Sequence, residues 1–227
     1  MTKINDVGRG AKSPLYQNSI PSLNPRPIFD LVALLACSVY GTIPLFWFVV
    51  HPFVERWRTR GRRAYAFILP VWGGFIAIAF LLMWPFRSVH FYANWFAFAP
   101  AAIFFLLGFS IYRAAFQRFD RAKVSGLAEL EPDHHRQQLI TTGIRARVRH
   151  PIYLGHLCEI AAWCIATGLV ALYVLAAFAM ITGAVMIRME DRELEARFGE
   201  AFRAYRQRVP GVVPKLFTTE TRRTPNS

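Results

Sequence analysis

A short basic segment in the second half of the chain carries most of the side chains that could do chemistry. It reads Arg149-His150-Pro151-Ile152-Tyr153-Leu154-Gly155. A guanidinium, an imidazole and a phenol stand at the start of an apolar run, and proline suits the first turn of a helix. The free backbone N–H groups and the dipole at a helix start favour a carboxylate or a phosphate. The residues predict an anion-binding site, with a basic anchor to anionic lipid as an equal alternative.

One carboxyl group and several histidines lie near this segment. Glu159 falls about two turns past Pro151, and an acid inside a membrane helix is functional by default, although it could also be a hydrogen-bonded packing residue. His156 lies three residues before Glu159 and could pair with it in a substrate or proton role. The adjacent His134 and His135 fall in a polar loop without the spacing of a metal site. We therefore predict no bound metal.

Membrane helices are the elements that must position these residues. The 227 residues are 54% hydrophobic and 15% aromatic, which is too apolar for a soluble domain of this size. The net charge of +13 comes from basic clusters between apolar runs, as in cytoplasmic membrane loops, and this argues against nucleic-acid binding. Three cysteines, Cys37, Cys158 and Cys164, lie within apolar runs and are expected to be buried small hydrophobes.

The apolar runs predict an all-α fold, a polytopic membrane helix bundle of about five transmembrane helices. Residues 29–116 contain three runs long enough to cross a hydrocarbon core of about 30 Å, namely Phe29–Val50, Ala64–Trp84 and Phe91–Phe116. The apolar part of residues 151–189 is nearly twice as long as one crossing needs, so it is expected to form a hairpin that turns near Thr167-Gly168. Residues 190–210 have the apolar spacing of an amphipathic helix that caps the bundle on the cytoplasmic side.

The remaining segments are polar. Residues 1–28 are expected to form a mobile tail without a cleavable signal peptide, and residues 211–227 a second tail. Residues 117–150 form a basic loop that includes the candidate anion site. Arginine-rich segments lie on the cytoplasmic side by the positive-inside rule. An odd number of spans then places the N-terminal tail on the opposite side, although that tail is also basic.

Two motifs resemble those of one family of membrane enzymes. Residues 138–155 resemble the cytoplasmic signature of the isoprenylcysteine carboxyl methyltransferase and phospholipid methyltransferase superfamily, in which a Leu-Val-Thr-x-Gly-like run precedes Arg-His-Pro-x-Tyr-x-Gly. The resemblance continues after the hairpin in Glu190-Asp191, Phe198-Gly199-Glu200 and the stretch from Tyr205 to Pro210. These are similar to the family's paired acids, its Phe-Gly-Glu-x-Tyr-x-x-Tyr motif and its closing Arg-Val-Pro.

The resemblance implies a methyltransferase that uses S-adenosyl-L-methionine at the cytoplasmic face. Its expected partners are membrane lipids and a small or lipophilic acceptor that enters laterally from the bilayer between the spans. Arg145 stands where the family often has tyrosine, and Asp191 where it often has glutamate. Glu159 and Arg188 are the candidate catalytic residues, Arg188 being nearest to the place where the family anchors its substrate. The cofactor-binding residues that the resemblance implies are Gln138, Leu139, Ile140, Thr141, Arg145, Arg149, His150, Pro151, Ile152, Tyr153, Glu190 and Asp191.

Two other functions stay open on the sequence. Sterol reductases resemble the same superfamily in their C-terminal portion and use NADPH, whose additional phosphates Arg145 and Arg147 could bind. A non-enzymatic scaffold or transporter could keep the same helices. In all three cases we expect an integral protein of a prokaryotic cytoplasmic membrane.

Overall fold

The computed structural model of the protein describes residues 26–117, 130 and 138–214. Most of both predicted tails and of the predicted basic loop, with His134 and His135, lies outside these residues. The described residues form helices joined by short turns, and the predicted helical membrane bundle is confirmed. The α-helices are α1 (Arg26–Val50), α2 (Val54–Arg58), α3 (Tyr65–Met83), α4 (Phe98–Phe116), α5 (Pro151–Thr167), α6 (Val170–Phe198) and α7 (Glu200–Arg208).

Four helical segments in the described part of the chain are long and apolar enough to cross a membrane. They are Arg26–Arg58, Gly61–Phe86, Trp95–Phe116 and Val170–Phe198. The fifth apolar helix, α5, has 17 residues, or about 25 Å at 1.5 Å per residue, slightly less than a hydrocarbon core of about 30 Å. It packs against α1, α4 and α6, so this short helix lies inside the bundle.

The bundle core lies between α1, α5 and α6. Leu34 of α1, Ile160 of α5 and Leu172 of α6 are almost fully buried in one apolar cluster. All three cysteines are buried free thiols, which confirms the expectation from the sequence. By contrast, α3 contributes little to this core, and its apolar side chains face outward, as suits contact with lipid.

Two glycines let α4 and α5 approach closely. A Cβ atom at Gly155 would lie 2.7 Å from Cε1 of Tyr112, and a Cβ atom at Gly108 would lie 2.8 Å from Oε1 of Glu159. Both distances are well inside ordinary van der Waals contact. The spacing of the two helices therefore depends on these positions having no side chain.

The hairpin between α5 and α6 turns at Gly168, where the sequence places it. Gly168 has φ of 68° and ends α5 through its N–H bond to the carbonyl of Cys164, at 2.9 Å. Its own carbonyl accepts a hydrogen bond of 2.9 Å from the N–H of Phe91. The left-handed backbone conformation explains why glycine occupies this position.

The expected third span begins later than the apolar pattern indicates. Residues 87–94 do not join a helix at Phe91, because their backbone groups bond to the hairpin turn, as in the 2.9 Å bond from Val170 N to Val89 O. The Asn94 side chain then accepts a hydrogen bond from Ala97 N at 3.0 Å and starts a single 3₁₀ turn before α4. The apolar run predicts which residues lie in the membrane, whereas the cap formed by Asn94 determines where the helix begins.

The start of α1 is tied to the hairpin turn at this end of the bundle. The chain is already helical at Arg26, ahead of Phe29, and Arg26 donates a hydrogen bond of 2.9 Å to the carbonyl of Thr167. Asp30 is buried and lies 2.9 Å from Nε2 of His90. The N-terminal end of α1 and the hairpin turn therefore share one end of the bundle.

The boundary expected between the last span and the amphipathic helix is wrong. Helix α6 continues past Ile187 to Phe198, and only Glu200–Arg208 forms a separate helix, α7. Residues 188–198 contain good helix formers with a favourable Glu193–Arg197 pair one turn apart. Gly199, with φ of 55°, is the first position after these residues that can adopt a positive φ without a steric penalty, so the helix ends there.

Replacing Gly168 with alanine is expected to destabilise the fold by at least about 2 kcal/mol. A left-handed conformation costs a non-glycine residue roughly 1–2 kcal/mol, and the new Cβ atom would also collide with the backbone carbonyl of Tyr92. Thermal unfolding in detergent measures the change. Gly74→Ala is the control, because its added Cβ meets no heavy atom within 4 Å. Equal losses of stability in the two variants would contradict this explanation.

Candidate active site

A cavity of about 600 Å³ lies at the end of the bundle opposite the hairpin turn. The ends of α1, α3, α4 and α6 meet the start of α5 and helix α7 around it. Its walls combine basic, acidic and apolar aromatic side chains. The lining residues are Ile43, Phe46, Trp47, His51, Tyr65, Leu69, Trp72, Phe116, Gln138, Leu139, Ile140, Arg145, Arg149, His150, Pro151, Ile152, Tyr153, His156, Glu190, Glu193, Leu194, Arg197, Phe198, Phe202 and Tyr205.

His150 stands at the start of α5 between two carboxylates from α6. Its Nδ1 lies 3.3 Å from Oε2 of Glu190, and its Nε2 lies 2.9 Å from Oδ1 of Asp191. Burial by itself would lower the pKa of His150, but the two acids outweigh it and raise this pKa to about 9. Since carboxylates only accept hydrogen bonds, both ring nitrogens donate, and His150 is a cation near neutral pH.

Arg149 connects Asp191 of α6 to the segment that follows α7. Its Nη2 donates to Oδ2 of Asp191 at 2.7 Å, and its Nη1 donates to the carbonyl of Val209 at 2.9 Å. The N–H of Arg149 also donates to the carbonyl of Pro210, at 2.9 Å. Among the described residues the buried Nε of Arg149 has no hydrogen-bond partner. A buried N–H donor beside a cavity is suited to an anionic ligand.

Helix α7 forms an apolar wall beside these charges. Phe202 and Tyr205 are buried and pack with Leu139 and Phe198. The Tyr205 hydroxyl donates a hydrogen bond of 2.6 Å to the carbonyl of Arg145. The amphipathic spacing that predicts a helix here therefore also places one wall of the cavity.

Most of the residues that the family resemblance implies lie together. Ten of the twelve candidate cofactor residues line the cavity, all except Thr141 and Asp191. Asp191 lies directly behind the lining, where it binds Arg149 and His150. The motif before α5 and the acids at the end of α6 thus share one cavity, although they are about 40 positions apart in sequence.

The two candidate catalytic residues lie elsewhere. Glu159 is buried against Gly108 of α4 and does not line the cavity, and Arg188 is exposed on α6. His156 was expected to pair with Glu159, but its Nδ1 is hydrogen-bonded to the hydroxyl of Tyr112. Residues three apart on one helix can approach each other, but here the neighbouring helix supplies the nearer partner.

Other residues of the cavity are not evident from the motifs. His51, Glu193 and Arg197 add polar side chains to its lining, and Phe46 and Trp72 add aromatic wall from α1 and α3. The centroids of the Phe46 and Trp72 rings lie 5.5 Å apart, and the two rings meet edge to face. Only the concentration of aromatic residues in these spans could have indicated them.

No group of three or more histidine, cysteine, aspartate or glutamate side chains is placed to hold a metal ion in the part of the chain that the structure describes. The side chains that line the cavity are mainly charged, aromatic and aliphatic. A fold and a site of this kind define a membrane protein with a charged pocket at one end of its bundle.

Part of this membrane protein matches a known family of enzymes. Residues 96–201, which run from the start of α4 through the cavity motifs into α7, match the model of the phospholipid methyltransferase family. This match supports the superfamily of integral membrane methyltransferases, and the resemblance drawn from the sequence is confirmed.

A curated relative agrees with this class. The chain is 33% identical over 159 residues to methanethiol S-methyltransferase 2 of Bradyrhizobium diazoefficiens (strain JCM 10833 / BCRC 13528 / IAM 13628 / NBRC 14792 / USDA 110). The match covers 69% of this chain and 55% of the relative, so the chain spans little more than half the length of that protein. No solved structure matches the chain.

Proposed function

We propose that the protein is an integral membrane methyltransferase that transfers a methyl group from S-adenosyl-L-methionine to a small or lipophilic acceptor. The observation that carries this proposal is the single cavity shared by His150 and Glu190, with Arg149 beside them. The family match and the name of the relative support the reaction type. The concentration of arginine at the cavity end of the bundle supports a cytoplasmic location for the site.

The residues present fit this cofactor. Its carboxylate would meet cationic His150 and the buried Nε of Arg149, and its ammonium or ribose hydroxyls would meet Glu190. Ile152 and Phe202 offer apolar wall for the adenine. When bound, the cofactor supplies a methyl group on a sulfonium sulfur, which a nucleophile can displace in line.

The chain's own contribution is alignment and the exclusion of water. Asp191 fixes the orientation of His150 from behind and thereby holds one wall of the cavity. Transfer between two aligned groups gains most from such positioning. The aromatic part of the cavity, formed by Phe46, Trp47 and Trp72, is suited to an apolar acceptor that reaches the site laterally from the bilayer.

Binding of the methyl donor to the purified protein in detergent tests the proposal directly. We expect calorimetry to show binding of S-adenosyl-L-methionine and little affinity for NADPH. Membranes supplied with the methyl-labelled donor are expected to yield a labelled small or lipophilic product. Preference for NADPH would instead support a reductase, for which Arg145 and Arg197 in the cavity would bind the phosphates.

Glu190→Gln provides the matched variant for this experiment. Loss of the carboxylate removes one acceptor beside His150, so we expect the affinity for the methyl donor to fall about tenfold or more. The same change at the exposed Glu55, which lies outside the cavity and is ion-paired with Arg58, is expected to leave the affinity unchanged. If the two variants behave alike, the cavity is not the cofactor site.

A further inference from the structure

A second histidine lies deeper in the same cavity. His156 follows His150 by six residues on α5, which places it roughly 9 Å further along the helix axis. Both side chains line the cavity, and so does Tyr153 between them. His156 is therefore on the membrane side of the site described for the methyl donor.

The neighbouring helices fix the orientation of the His156 ring. Its Nδ1 is hydrogen-bonded to the hydroxyl of Tyr112 on α4. The rings of Tyr112 and Tyr40 meet it edge to face, with centroids 5.4 and 5.7 Å away. Gly155 makes the arrangement possible, because a side chain there would displace the Tyr112 ring. With Nδ1 committed to α4, Nε2 is the nitrogen that can meet a ligand.

Among the described residues, the side chains in contact with the His156 ring are aromatic. Tyr40 from α1 and Tyr112 from α4 contact the ring, and Tyr153, Cys158 and Glu159 are the titratable neighbours within one turn on α5. The Glu159 carboxyl lies against Gly108, within electrostatic reach of the two tyrosines. The nearby cavity walls are Ile43, Phe46 and Trp72. A charged acceptor would lose its hydration here without gaining a partner, whereas a neutral apolar acceptor would not.

We propose that the acceptor is a small thiol and that Nε2 of His156 removes its proton. This inference rests on the proposed methyltransferase function. A thiol is mostly protonated near neutral pH, and its thiolate is the nucleophile. The word methanethiol in the name of the relative agrees with such a substrate.

The proposed step balances without a further reactant. The S–H proton moves to Nε2 of His156 while Nδ1–H donates to the Tyr112 oxygen, so the ring becomes an imidazolium. The thiolate sulfur uses a lone pair to form the new bond to the methyl carbon. The bond from that carbon to the donor's sulfonium sulfur breaks, and its electron pair stays on the donor sulfur. His156 then releases the proton to water, and the products are two neutral thioethers.

His156→Gln separates this role from a structural one. With an alkane thiol at neutral pH, we expect the rate to fall about 100-fold or more, as is typical for loss of a general base. With benzenethiol, a far stronger acid that ionises without help, we expect a fall of less than about threefold. The affinity of the variant for S-adenosyl-L-methionine, measured by calorimetry, is expected to stay within about twofold of the wild type.

Tyr112→Phe tests the positioning of the ring, with Tyr173→Phe as its control. Tyr173 shares a 3.0 Å hydrogen bond with Tyr92 at the far end of the bundle, so its loss leaves the preference between the two thiols unchanged. Tyr112→Phe is expected to lower the rate with the alkane thiol about tenfold more than the rate with benzenethiol.

The outcomes distinguish this inference from the function on which it rests. A wild-type protein that binds the methyl donor and labels other acceptors, but never a thiol, overturns the inference and leaves the methyltransferase. Equal losses on both thiols in His156→Gln also overturn it, because a collapsed cavity affects all acceptors alike. Failure of the wild type to bind S-adenosyl-L-methionine overturns the proposed function itself.

Discussion

Asp191→Ala is expected to abolish measurable binding of the methyl donor and to cost the fold about 3–5 kcal/mol. The Asp191 carboxylate accepts hydrogen bonds from Arg149 at 2.7 Å and from His150 at 2.9 Å. Its removal leaves two buried cations side by side without their shared counter-ion. The two cations would then move apart, or His150 would lose its proton, and the wall of the cavity would lose its shape.

Calorimetry with S-adenosyl-L-methionine and thermal unfolding in detergent measure the two effects of this substitution. Glu195→Ala, one turn further along α6, is the control, because Glu195 forms only exposed ion pairs with Arg203 and Arg206. Such pairs contribute about 0–1 kcal/mol. Affinity for the methyl donor at the wild-type level in Asp191→Ala would show that the pair behind the cavity does not organise the site.

Raising the pH from 6.5 to 9 is expected to reduce both stability and affinity for the methyl donor. The pKa of His150 is about 9 in the folded protein, against 6.5 for an ordinary histidine. The folded protein binds the His150 proton more tightly than the unfolded chain does. The stabilisation of the fold by this proton is therefore complete below pH 6.5 and is lost as the pH rises through 9. At roughly 1.4 kcal/mol per pH unit, the upper limit of this contribution to the free energy of unfolding is about 3–4 kcal/mol.

His150→Gln is the matched variant for the pH experiment. Glutamine cannot become a cation, so the stability of this variant should vary less over the same range of pH. The charged groups that face His150 are Glu190 and Asp191 from α6 and its neighbour Arg149. A wild-type unfolding curve that stays flat between pH 6.5 and 9, measured beside the variant, would argue against a cationic His150 at neutral pH.

The sequence predicts those parts of the fold that depend on local chemistry. Gly168 ends α5 at the expected place because a left-handed residue is needed there, and a glycine in an apolar run stands out. The motif around His150 predicts the start of α5 through Pro151, which needs no intrahelical donor. Buried cysteines follow from their apolar neighbours.

The boundaries predicted less well depend on capping. The third span was expected at Phe91, but Asn94 and the bonds to the hairpin turn delay the start of α4 to Phe98. The change from apolar to polar residues near Arg188 was expected to end the last span, yet α6 continues to Phe198. Leaving a membrane does not stop a helix; only a residue such as Gly199 does.

The parts of the site that escape prediction depend on side chains from distant helices. Nothing within α5 indicates that His156 bonds to Tyr112, 44 positions earlier. Glu159 was expected to act on a substrate because it is an acid in an apolar helix, but it packs against Gly108, whose bare backbone admits it. Long-range packing decides which side of a membrane helix faces a cavity, and residue spacing alone does not encode it.

The bonds from Arg149 and His150 to Val209, Pro210 and Gly211 have a consequence for biosynthesis. These contacts join positions about 60 residues apart, at 2.9 Å each. A growing chain that has emerged from the ribosome only as far as Ile187 can have inserted every apolar helix, yet it lacks the acids and the closing segment. The apolar helices can therefore enter the membrane before the pocket is complete, and a chain truncated before Gly211 is expected to span the membrane without the contacts that close the cavity.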